Sequence, residues 1–224
     1  MRRSFKNLAR LTSVIITIGC LATLAGCEKD NRIQGSGLAK TETRDSASFT
    51  RVTLEGGASM HVTIGAESSV SITADDNILP LIKSAVEGET LTIKPDKPIK
   101  PETPIVINVT TPSLTHLVSR GAGNIELREI ENEALSIEIE GAGNVDAEGK
   151  TRRLEVSANG AGQFDLTKLV AEEAIVALRG AGSASLHATE TLKATIKGVG
   201  RIEYLGDPKV EETTSGMGTI SKAD

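Results

Sequence analysis

The chain of 224 residues contains no tryptophan, one tyrosine and three phenylalanines. Sugar-binding clefts usually stack their ligands on exposed rings, and beyond residue 26 only Phe49, Phe164 and Tyr204 could serve. Cysteine is equally scarce: Cys20 and Cys27 are the only two. Two cysteines cannot make a disulfide framework or a cysteine-based zinc site. The three histidines, His61, His116 and His187, have no second His or Cys at ligand spacing, so each reads as a surface strand residue. No G-x-S-x-G nucleophile elbow occurs. Apart from residues 11–26 there is no long apolar run, and that one is too short and too near the start for a membrane span. The residues thus predict no catalytic group, no metal and no cofactor.

The first thirty residues have an organisation of their own. "MRRSFKNLAR" is basic, "LTSVIITIGCLATLAG" is apolar, and the pair reads as a secretory signal over residues 1–26. The run ends in Leu24-Ala25-Gly26-Cys27, which resembles the bacterial lipobox. That resemblance implies cleavage between Gly26 and Cys27 and a diacylglyceryl group on the Cys27 thiol. Cys20 would leave with the signal, as would Arg2, Arg3, Lys6 and Arg10. The remaining chain would hold 21 basic and 30 acidic residues, a net charge of −9 against −5 before processing. Such a balance disfavours nucleic acid and leaves the lipid as the membrane contact. Residues 27–48 are polar, with Gly35 and Gly37, and read as a lipidated cysteine and a flexible tether about 25 Å in reach.

From Phe49 the apolar residues recur with period two, the signature of strands. Val52 and Leu54, then Val62 and Ile64, share one parity, and "SVSITA", "TLTIKP" and "PIVINVT" continue the habit. Residues 76–88 break it: Ile78, Leu81, Ile82 and Ala85 have helical spacing around Pro80, which predicts at most a short helix.

The second half repeats. Alternating runs lead into Gly121-Ala122-Gly123, Gly141-Ala142-Gly143, Gly160-Ala161-Gly162, Gly180-Ala181-Gly182 and Gly198-Val199-Gly200, then alternate again with the same parity. First glycines are 20, 19, 20 and 18 residues apart. Gly216-Met217-Gly218 reads as a degraded sixth copy, and Gly56-Gly57 as a possible early one. The parity places these glycines in inward slots at a corner. A dinucleotide-binding turn is excluded, because Glu126, Asp146, Asp165, Ser185 and Glu203 stand where its third glycine belongs and no helical pattern follows. A period near twenty built from strand-sized pieces predicts an all-β chain wound as a single-stranded parallel β-helix, a β-solenoid with coils of about 18–20 residues over 49–224. If all coils were alike there would be about nine, in a rod near 40 Å long.

Stacking aligns equivalent positions into columns. Glu126, Asp146 and Asp165 form an acidic one, read as a solvated face relieved by Arg120, Arg128 and Lys168, with a cation ladder as the alternative. Asn124, Asn144 and Gln163 form a second, read as a hydrogen-bond ladder along the stack.

The lipobox, the polar tether and the Gly-Ala-Gly-Asn phrases at 121–124 and 141–144 together resemble the bacterial "putative auto-transporter adhesin, head GIN domain" family over about residues 48–220. The resemblance implies a right-handed β-helix on an exported, lipid-anchored protein, and supplies no catalytic residues. The expected protein is a non-enzymatic binding or scaffolding module of the bacterial cell envelope, facing the periplasm or held in the outer membrane rather than in the cytoplasm. A protein or glycan would be its ligand. The alternatives are an enzyme or accessory factor acting on envelope polysaccharide, and a periplasmic regulatory partner of a membrane protein.

Overall fold

A computed structural model describes residues 30–223, and residues 1–29, including Gly26 and Cys27, lie outside it. Regular structure among the described residues is strand, save one 3-10 turn at Leu79–Leu81. The strands are β1 (Ile33–Gln34), β2 (Ala39–Arg44), β3 (Arg51–Gly57), β4 (Ser59–Ile64), β5 (Ser69–Asp75), β6 (Ile82–Glu87), β7 (Thr90–Pro95), β8 (Ile99–Lys100), β9 (Val106–Thr111), β10 (His116–Leu205) and β11 (Lys209–Lys222). β10 takes in all five Gly-x-Gly phrases and stacks on itself.

The period-two reading locates the core. Leu135, Ile137, Ile139, Val145 and Ala147 are buried, as are their equivalents Leu154, Val156, Phe164 and Leu166 one repeat later. Outward neighbours such as Glu140, Asp146 and Glu155 are exposed. A stretch of one repeat cannot enclose its own apolar side chains, so they become dry only when the next stretch lies against it. The cluster accordingly runs without a break from Phe49 to Ile202.

The glycines do something different from filling inward slots. A Cβ on Gly143 would point at the preceding repeat and sit 2.5 Å from the carbonyl oxygen of Gly123. A Cβ on Gly141, whose φ is +126°, would sit 2.2 Å from the carbonyl oxygen of Gly121. Position 141 thus needs glycine for its backbone angle and for its neighbour, and 143 for its neighbour alone. The same contact recurs at 160 over 141, 180 over 160, 198 over 180 and 216 over 198. Gly216-Met217-Gly218 pairs in register with Gly198-Val199-Gly200, and Gly121 pairs with Gly56, so both outlying copies belong to the series.

β10 is parallel to β3 and β4 at one end and to β11 at the other. The run of nine like coils does not extend through residues 65–115. β7 and β9 lie parallel to β3 and β4 on their far side, although they follow them in sequence. The chain then crosses back, with Leu114 buried and Thr115 N–H donating to Thr50 O at 2.8 Å. Antiparallel pairs finish this end: β5 on β9, β6 on β7 and β2 on β5. The sheet is therefore mixed. The helical spacing at 76–88 yields only the 3-10 turn, with Pro80 inside it, before the chain extends as β6 and pairs with β7.

Residues 33–44 are not a free tether. β1 pairs with β8, and β2 pairs along its whole length with β5. Arg44 secures the end of β2, its guanidinium donating to the carbonyls of Ile82 at 2.7 Å and Leu79 at 3.1 Å.

Gly143→Val should destabilise the protein by about 3 kcal/mol, because the new side chain meets backbone that cannot swing away. Ala142→Val, at an exposed position, should cost less than about 1 kcal/mol. Thermal melts of the two variants check this; equal melting temperatures would contradict the stacking of these corners.

Candidate functional site

The described surface combines shape with charge in several places, of which two adjoin the repeat columns and the proline-rich segment. The first is the outer face built by the columns. Glu126 is the cross-strand partner of His61, 65 residues earlier, and its Oε2 lies 2.6 Å from His61 Nδ1. Arg128 pairs with both Glu126 and Glu148, spanning two repeats. Asp165 accepts hydrogen bonds from the Thr167 hydroxyl and N–H; these, reinforced by Lys168, hold its carboxyl below the usual carboxylate range. Arg128, Asp146, Glu148, Asp165 and Lys168 surround a small dimple, three carboxylates with two cations. Arg120 belongs to another column, bridging Glu55 at 3.9 Å and Glu140 at 3.2 Å. Among the described residues no cluster of three or more His, Cys, Asp or Glu is arranged to hold a metal ion. Arg128 and Lys168 beside the column relieve the repulsion that a bare acidic column would carry.

The asparagine column is a ladder over its first steps. Asn144 Nδ2 donates to Asn124 Oδ1 at 3.1 Å, and the Gln163 N–H donates to Asn144 Oδ1 at 3.2 Å. Beside it runs the outward edge of the corner, Ala122, Ala142, Ala161 and Ala181, ending in exposed Val199 and Met217.

The second place is a cleft of about 310 Å³ where the stack opens. Elsewhere one Gly-x-Gly corner lies on another. Beyond Gly56 the neighbouring level has a longer, proline-punctuated segment, 94–105, instead. A Cβ on Gly56 would meet Pro95 Cδ at 3.3 Å rather than a backbone oxygen near 2 Å. The looser fit leaves a cleft walled by Leu54, Ile82, Ile93, Pro98, Ile99, Ile105 and Ile107, with Glu55, Lys94 and Lys97 at its border. The apolar lining with few polar groups is typical of small-molecule sites, at the lower end of their size range.

Asp75 holds the outer wall of that cleft in place. It is buried, and its carboxylate accepts bonds from the N–H of Gly37 and of Glu102, both at 2.9 Å, and from the Thr103 hydroxyl at 3.0 Å. Burial acts to raise its pKa, but the hydrogen bonds from Glu102, Thr103 and Gly37 outweigh it and the net shift is downward. A Cβ on Gly35 would overlap this carboxylate at 2.1 Å, so the strap 33–38 passes directly over it. Neither the cleft nor Asp75 is marked by any motif. The only sequence signal is the proline spacing of Pro95, Pro98, Pro101 and Pro104.

Residues 48–208 match the family described as "putative auto-transporter adhesin, head GIN domain", and the chain belongs to it. A putative adhesin from Bacteroides fragilis has a similar structure, with TM-score 0.68 and 24% identity over 85% of this chain and 100% of that one. A putative adhesin from Parabacteroides merdae gives 0.59 and 23% over 86% and 99%. A putative lipid binding protein from Parabacteroides distasonis gives 0.55 and 23% over 86% and 100%. At such identities the likeness is one of fold. No curated protein matches the chain.

A carboxyl with a lowered folded-state pKa stabilises the fold above its unfolded value, and that stabilisation is lost as the pH falls through the folded value. Asp75→Asn should therefore lower the melting temperature at pH 7. The gap to the wild type should narrow below the ordinary carboxylate value of 3.8. Melting curves from pH 7 to pH 2 check this, and a gap that stays constant in acid would contradict the role given to Asp75.

Proposed function

We propose that this head GIN domain protein is a lipid-anchored β-solenoid of the bacterial cell envelope that works by binding or scaffolding. The winding we infer is a right-handed parallel β-helix through β10 and β11, capped by the antiparallel strands of the first third. The observation that carries the functional reading is repetition on the outside of the stack. Asn124 and Asn144 touch at 3.1 Å, and charged side chains pair between the same neighbouring levels, so similar surface chemistry recurs over the first levels of β10. A periodic face suits an extended partner, protein or glycan, that can meet the same contact several times. Family membership supports the adhesin-like reading. The acidic balance of the chain beyond residue 26 argues against nucleic acid.

Among the described residues no helix is long and apolar enough to cross a membrane. Attachment in this reading rests on Cys27. Wild-type protein should incorporate labelled palmitate and partition into detergent, whereas Cys27→Ala should do neither. A Cys27→Ala protein that still carries palmitate and stays in the membrane would refute the anchor.

A further inference from the structure

The cleft lies at the end of the stack to which the proposed anchor is tied. β1 begins only six residues after Cys27. β1 and the residue after it bind the cleft wall directly: the Ile33 N–H donates to Pro98 O and the Gly35 N–H to Lys100 O, both at 2.9 Å. Pro98 and Ile99 themselves line the cleft. Because β1 and β2 are paired in sheets, only residues 28–32 separate Cys27 from the first strand, not the twenty or so that composition suggested. The six Cα–Cα steps from 27 to 33 reach at most about 21 Å. A lipid on Cys27 would therefore keep this end of the protein within that distance of the membrane.

The cleft's own chemistry suits what it would find there. Its floor and walls are aliphatic, with Ile93, Ile99 and Ile105 among them, and water gains nothing from such a lining. Lys94 and Lys97 at its border are exposed, and neither makes an ion pair among the described residues. The arrangement is an apolar slot bordered by two cations and by Glu55, whose carboxylate faces Arg120 at 3.9 Å, so the lysines are the groups left for an anion. It complements an amphiphile with an aliphatic tail and an anionic head. The lipid expected on Cys27 carries no phosphate, so the lysines select against it and for a phospholipid of the surrounding leaflet.

We propose that this cleft takes an acyl chain of an anionic membrane phospholipid, with Lys94 and Lys97 on its phosphate. The head domain would then be held to the membrane at two points, the lipid on Cys27 and the occupied cleft. Two points restrict the orientations the stack can take, so its repeated outer faces are biased in direction relative to the bilayer. The proposal rests on the anchored reading above.

The test uses the full chain, produced with labelled palmitate and reconstituted in vesicles whose acyl chains carry a photoactivatable diazirine. One set is phosphatidylcholine alone and the other includes phosphatidylglycerol, with the diazirine on the anionic lipid. After illumination, peptide mapping should place phosphatidylglycerol adducts on residues 93–107. Their yield should fall severalfold in the double variant Lys94→Glu, Lys97→Glu, with an unchanged melting temperature. Palmitate on the protein without adducts at 93–107 would overturn the cleft while leaving the anchor intact. Adducts of equal yield from the two lipids, or unaffected by the double variant, would overturn the choice of an anionic head. Adducts at 93–107 on protein that carries no palmitate would support the cleft and refute the anchor.

Discussion

The close approach of backbone to backbone at the Gly-x-Gly corner is the constraint on which the rest of the structure depends. With a carbonyl oxygen of one repeat occupying the place of a Cβ in the next, no other residue type fits both positions. Backbone hydrogen bonds between parallel strands set the spacing of successive levels, and glycine lets the corner keep it. The spacing in turn lets Leu135, Leu154 and their equivalents close over one another as a dry core. The outer columns follow from the same geometry, since Arg128 can reach Glu126 and Glu148 together only if the levels keep one height and one register. A chain held this way needs neither disulfide nor metal to hold its shape, because each level buries the one before it.

A stack has two ends, and they are finished differently. At the last level the residues paired with Ala194, Ile196 and Tyr204 are Glu212, Thr214 and Lys222. Polar groups at positions that elsewhere feed the core leave this level with little apolar surface to offer another. Inward charge of this kind discourages edge-to-edge association. At the first end the finish is antiparallel strands, a charged edge strand carrying Lys40, Glu42 and Arg44, and the strap 33–38 locked over Asp75. Here the stack departs from its own repeat, and here the cleft opens. The functional reading follows that contrast: a side on which similar polar and charged pairs recur between levels, and an irregular end with an apolar cleft.

What the sequence revealed, and what it hid, divides along the same line. Within β10 the parity of Leu135, Ile137 and Ile139, the glycine spacing and the Asn124–Asn144 step were all legible, because each depends on a neighbour about twenty residues away. The partner of Glu126 was not, since His61 is reached only by skipping the 51 residues from 65 to 115, which build a level on the far side of β3 and β4. β2 was hidden for a different reason. Its residues are mostly exposed, so it carries no apolar alternation and owes its conformation to backbone pairing with β5. The cleft was hidden because it arises from a missing corner, and an absent motif leaves no pattern to read.

The exchange of levels is the central claim, and a disulfide test addresses it most directly. Parallel neighbours lie about 4.8 Å apart, within the range a disulfide can bridge, whereas positions two levels apart lie beyond about 7 Å and cannot be joined. The account predicts that His61→Cys with Glu126→Cys forms a 61–126 disulfide under mild oxidation, seen by peptide mapping without reductant. It predicts that His61→Cys with Asp146→Cys forms none. A 61–146 bond, or the absence of the 61–126 bond in folded protein, would contradict it.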